Sequence, residues 1–282
     1  MNKNIDVSSG ENIRNASDNK FQFKDRYSIV DLLEIMKILR SENGCPWDKV
    51  QTHESIRTDL IEEAYEVCEG IDSGDPEILR EELGDLLLQI TFHSQIENEV
   101  GNFNFDDVCD DICKKLIYRH PHVFGDVSAE TEDEVLKNWD ALKKASKKQE
   151  TYTDTLKSIP KTFPALLRGE KVCRRAQRAG FPIDDPSDCI NKIKSGLDKL
   201  SDNPVDIAQN QHILGQLLLN FCNLNRIYKN DGEKALTYST NQFIINFGAF
   251  ESGVIDNEMS LDKLSEDELI MEAEKLFAIE NK

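Results

Sequence analysis

The chain has 282 residues, which suits two domains or one large one. It carries 34 Lys plus Arg against 53 Asp plus Glu, a formal net charge of -19. Such a surface repels nucleic acid and anionic membranes, so neither is expected as a partner, whereas a small anion can bind if a metal ion accompanies it. The cysteines (Cys45, Cys68, Cys109, Cys113, Cys173, Cys189, Cys222) form no C-x-x-C pair. Their odd number, without a signal peptide, points to a reducing cytoplasm. No apolar run approaches membrane-spanning length.

Residues 1–27 are polar and aperiodic, and read as a disordered tail. Ser28 can cap a helix running to about Arg40, with Ile29, Leu32, Leu33, Ile35, Met36 and Leu39 facing inward. Gly44-Cys45-Pro46-Trp47-Asp48 then ends the helix in a rigid turn. A Trp on such a loop is either a packing anchor or a ligand contact.

Residues 53–99 form an acidic helical hairpin. Ile56, Leu60, Ala64, Val67 and Ile71 make one apolar stripe, and Leu79, Leu83, Leu86 and Ile90 another. The break falls at Ser73-Gly74-Asp75-Pro76, where Asp75 is an N-cap and Pro76 suits the first helical position. So short a loop requires antiparallel packing. Glu62, Glu63 and Glu66 share an arc of about 100° beside the first stripe. Glu63 lies eleven residues before Gly74 and Asp85 eleven after it; Glu66 and Glu82 each lie eight away. Folding at Gly74 therefore brings up to five carboxylates level with one another. Uncompensated, they repel and some must take up protons. A hard divalent cation resolves this, and an all-oxygen set without His or Cys suits Mg²⁺ or Mn²⁺ better than zinc. The plainer alternative is a solvated acidic face.

A further helix spans about 105–119 and carries Lys114, Lys115 and Arg119 near its end. These cations compensate the helix dipole or, beside a metal, contact phosphate. In His120-Pro121-His122 the proline disfavours helix at His120, so both histidines read as loop and capping residues. Thr131 with Glu134 is a capping box opening a helix to about Lys148. Residues 149–162 read as a linker, followed by helical patterns over roughly 163–179, 187–201, 205–230, 232–250 and 261–278. No stretch alternates as strands do, so the class is all-α.

The hairpin, the Gly-Cys-Pro-Trp-Asp loop and the segment Arg119-His120-Pro121-His122-Val123-Phe124 together resemble the MazG family of nucleoside triphosphate pyrophosphohydrolases, closely from about 28 to 145. The family's E-x-x-E and E-x-x-D signature is matched by Glu63–Glu66 and Glu82–Asp85. The resemblance implies Mg²⁺-dependent hydrolysis of nucleoside triphosphates to monophosphate and pyrophosphate, a four-helix core and assembly as a homodimer. It also implies nucleotide contacts from Lys115, Arg119 and Trp139, while one further family arginine position is Tyr118 here.

The second half, 163–282, resembles a second, degenerate MazG-like domain. Its E-x-x-E aligns with Gly196-Leu-Asp-Lys199 and its E-x-x-D with Ile213-Leu-Gly-Gln216. Catalysis is therefore expected in 28–148 and a packing or dimerisation role in the remainder. Glu63, Glu66, Glu82 and Asp85 are the expected metal ligands, and Glu62 the expected general base for water. Lys115 and Arg119 would stabilise the leaving pyrophosphate. Trp139 or Trp47 would stack on the base, which tolerates any nucleotide. The rival readings are a narrower pyrophosphatase acting on dUTP, dCTP or phosphoribosyl-ATP, a non-catalytic nucleotide or alarmone sensor, and a helical partner-binding protein.

Overall fold

The computed structural model describes residues 21–128, 131, 134–135, 138–139, 141–143, 150–182, 185–202, 207–256, 264–265 and 267–270. Most of the expected tail, the end of the helix expected to reach Lys148, and most of the expected helix at 261–278 lie outside them. Among the described residues every regular element is helical, so the chain is all-α. It divides into two compact units, Met1–Trp139 and Asp140–Lys282.

In the first unit, α1 spans Ile29–Arg40. The Ser28 N–H and hydroxyl both donate to Asp31 Oδ2, at 2.8 and 2.9 Å. These bonds and one from Lys24 hold the Asp31 carboxyl down at about 2, with Lys24 the larger cause. A single 3-10 turn, Asp48–Val50, follows in the loop. The hairpin consists of α2, Arg57–Ser73, and α3, Pro76–Glu99. Gly74 takes the left-handed conformation at φ 69°, and Asp75 accepts the Glu77 N–H at 2.8 Å, as the turn chemistry requires. α4 is Phe105–Arg119 and α5 the single turn Pro121–Phe124. The described residues between 134 and 143 are helical, with Glu134 N–H donating to Thr131 Oγ1 at 3.3 Å.

The core departs from one expectation. It gathers Met36 of α1, Ile56 before α2 and Phe92 of α3, with Leu88 and Ile96 packed against them. The α3 stripe expected to be buried is half open: Leu83 is 49% and Ile90 39% exposed. α3 is apolar on more than one side, and α1 docks on the Leu88–Phe92–Ile96 side, so periodicity alone could not choose the inner face.

In the second unit, a six-residue helix α6, Tyr152–Lys157, occurs within the stretch read as a linker; Thr151 caps it by accepting the Asp154 N–H. α7 is Ala165–Arg178, α8 Pro186–Asp202, α9 Ile207–Ile227 and α10 Gly232–Asp256. Ile193 of α8 and Ile213 and Leu217 of α9 form the core of this unit.

Candidate active site

The hairpin places its carboxylates by register. Near the turn, Gly70 abuts the backbone of Leu79, where an added Cβ would lie 3.1 Å from the Leu79 Cα. This approach brings the next turns of α2 and α3 into apposition. Glu63, Glu66 and Glu82 each present a carboxylate oxygen, all within 4.8 Å of one another. Among the described residues this is the one group of acidic, His or Cys side chains so placed.

The charges are frustrated. Glu63 is held above the ordinary carboxyl range, first by burial, then by Asp85 and Glu66. Glu82 is raised as well, by desolvation and then by Glu66 and Asp85. Asp85 thus stands close enough to act on both, although its oxygens are outside the tight triple. Glu62 is exposed on α2 and also outside it. Three convergent hard oxygens, with Glu63 and Glu82 both raised by their acidic neighbours, are a donor set suited to a small divalent cation.

The other expected residues fall into two places. Arg119 is buried at the end of α4, with its guanidinium 5.3 Å from the Trp139 ring centroid. His120 meets the same indole edge-on at 4.9 Å, while its Nδ1 lies 2.7 Å from the Leu116 carbonyl oxygen. One face of Trp139 is therefore taken by a cation, an arrangement that orients Arg119 as much as the indole. Lys115 is exposed one turn earlier on α4. Trp47 is 57% exposed on its loop.

Sequence reading missed what holds that loop. Arg40 donates through Nη1 to the Asp48 and Gln51 carbonyls, at 2.6 and 3.2 Å. Its Nε and Nη2 make a bidentate pair with Glu99 at 2.8 Å each, and the guanidinium lies 5.1 Å from the Phe92 centroid. The only signal was a cation at a helix end, which ordinarily compensates the dipole.

The second unit has a corresponding hairpin of α8 and α9. Gly196, aligned with Glu63, packs on Leu217, whose Cδ2 would lie 2.6 Å from a Cβ there. Ile213, aligned with Glu82, is 6% exposed in the apolar core, and Gln216, aligned with Asp85, bonds to His212 at 3.0 Å. At the Gly196 and Ile213 positions the second hairpin thus packs apolar groups where the first presents carboxylates.

Comparison with known proteins decides the family. Residues 51–124, which contain the hairpin and the Arg119–Phe124 segment, match the MazG nucleotide pyrophosphohydrolase domain. The chain is 37% identical over 241 residues to the nucleoside triphosphate pyrophosphohydrolase/pyrophosphatase MazG of Thermotoga maritima, covering 84% of this chain and 92% of that protein. The chain belongs to the MazG family. Other MazG relatives include the nucleoside triphosphate pyrophosphohydrolase of Escherichia coli, 39% identical over 225 residues with 78% of this chain and 86% of that protein covered. That of Mycobacterium tuberculosis is 37% identical over 182 residues, covering 64% and 54%. Among the described residues no helix is long and apolar enough to cross a membrane.

Proposed function

We propose that the first unit hydrolyses nucleoside triphosphates to nucleoside monophosphate and pyrophosphate, with Mg²⁺ or Mn²⁺ held by Glu63, Glu66, Glu82 and Asp85. The observation that carries this reading is the convergence of three carboxylates within 4.8 Å in a chain homologous to enzymes named for that activity. When bound, the cation neutralises phosphate oxygens and makes water a better nucleophile. Glu62, outside the convergent triple and so not committed to the cation, takes the water's proton in this reading. Lys115 and Arg119 supply positive charge to the leaving pyrophosphate, and Trp139 fixes the guanidinium of Arg119. Trp47, the more exposed indole, offers a face to the base.

The second unit acts as scaffold. Leu83 and Ile90 on α3, and Phe243, Ile244 and Phe247 on α10, are large apolar side chains left exposed in the single chain. A second copy covering them gives a homodimer, read out by light scattering after gel filtration. The free state of all seven cysteines suits a reducing cytoplasm.

The test is pyrophosphate release from a panel of NTPs and dNTPs, with and without Mg²⁺, for wild type and Glu66→Ala. Mg²⁺-dependent release that the substitution abolishes is the expected result. Release surviving in Glu66→Ala places the chemistry elsewhere, and no release from any nucleotide favours a sensor. A panel response confined to dUTP or dCTP identifies the narrower enzyme.

A further inference from the structure

A second polar cluster, outside the carboxylate cradle, joins the Trp47 loop to α3. His53 Nε2 lies 2.6 Å from Glu97 Oε1, and His53 Nδ1 lies 2.7 Å from His93 Nδ1. The imidazole centroids are 5.0 Å apart with an interplanar angle of 12°. That separation is the nitrogen contact plus the two ring radii, so the rings meet edge to edge in one plane and share a hydrogen. Asn102 Nδ2 closes the chain by donating to Glu97 Oε2 at 2.6 Å.

The donors and acceptors admit one economical arrangement. Glu97 is held below the ordinary carboxyl range by the bonds from Asn102 and His53, so it is ionised and only accepts. His53 therefore carries its hydrogen on Nε2 and, when neutral, accepts at Nδ1. His93 must then donate from Nδ1, which leaves its Nε2 a bare acceptor. That Nε2 is buried and has no partner among the described residues. A second proton shared by the two rings would either sit between facing nitrogens or place a buried N–H on His93 Nε2 without an acceptor, and both are costly.

We propose that the Glu97–His53–His93 chain is a proton-operated latch: with one hydrogen between the imidazoles it holds the Trp47 loop on α3, and uptake of a second proton releases it. The charged groups about the latch are Glu97 and Glu99 of α3, Arg40 of α1 and Glu54 of the loop, whose carboxyl is lowered first by a backbone hydrogen bond, then by Thr52, and least by His53. Arg40 holds the loop at Asp48 and Gln51 by hydrogen bonds to backbone carbonyls, which carry no proton to gain or lose, so the latch governs the His53 end. His93 is held below the ordinary imidazole range, by burial first and His53 second. Released from the latch, the His93 ring returns to the ordinary imidazole value of about 6.5. A lowered His value means the latched state loses stability as pH falls through that point.

The effect on nucleotide binding rests on the Trp47 reading above; the latch does not. The experiment is amide hydrogen exchange of the full chain at about pH 7.5 and about pH 5.5, corrected for intrinsic rates. Residues 47–55 are compared with α2 in wild type, His53→Gln and His93→Gln. In wild type, protection of 47–55 should fall about tenfold on acidification while α2 changes little. Both variants should show the low protection at either pH. Equal protection of 47–55 at both pH values in wild type, or a pH response that persists in both variants, overturns the latch. KM for a nucleoside triphosphate, measured in parallel, should rise as the loop is released. A loop that opens with KM unchanged supports the latch and removes Trp47 from the binding site.

Discussion

Gly70 and Leu79 touch backbone to backbone, and the spacing of the whole carboxylate cradle depends on that contact. A Cβ at Gly70 would lie 3.1 Å from the Leu79 Cα and 3.3 Å from its nitrogen, atoms that move only if a helix moves. Gly70→Ala should be nearly neutral, because a helix-propensity gain of about 1 kcal/mol offsets the strain. Gly70→Val keeps only part of that gain, adds two more carbons at the contact, and should cost about 2 kcal/mol. Urea titration of the two variants, with Mg²⁺ affinity beside it, checks both the sign and the coupling to the cradle.

The frustrated carboxylates give a pH signature of definite sign. Glu63 and Glu82 are raised in the folded protein, so the cluster destabilises the metal-free fold increasingly as pH rises through their folded values. Glu63→Gln in EDTA should therefore raise Tm over wild type more at pH about 8 than at pH about 5. Mg²⁺ should raise the wild-type Tm and leave the variant nearly unmoved. A Tm difference that does not depend on pH would show the acidic groups to be independent.

Removing Arg40 tests what secures the Trp47 loop. Its side chain is 5% exposed, so Arg40→Met strands Glu99 and two loop carbonyls together. The expected cost is about 3 kcal/mol, with the Trp47 segment losing protection against exchange. Denaturation at unchanged m-value and proteolysis near Asp48 measure the two effects.

The second hairpin should resist conversion into a metal site. Ile213→Glu puts a charge where Ile193 and Leu217 pack, at a position 6% exposed. It should destabilise the second unit by about 4 kcal/mol, whatever carboxylates are added at Gly196, Lys199 and Gln216. A calorimetric transition shifted in this variant, with Mg²⁺ binding unchanged from wild type, is the expected record.

The local features of the protein were legible in its sequence. Ser28, Gly74, Asp75, Pro76 and the Thr131–Glu134 pair mark helix ends by hydrogen-bond needs that reach only a few residues. The cradle was legible for the same reason: Glu63, Glu66 and Glu82 lie within a few turns of Gly74, and helix period plus a short turn fix their meeting. The even distribution of apolar residues around α3 left its inner face open, and only the docking of α1 on Phe92 selected it. The contacts of Arg40 with Glu99, His53 with His93 and Arg119 with Trp139 join residues from separate elements. No periodicity predicts such pairs, because they depend on how packed helices cross and on which loops that packing traps.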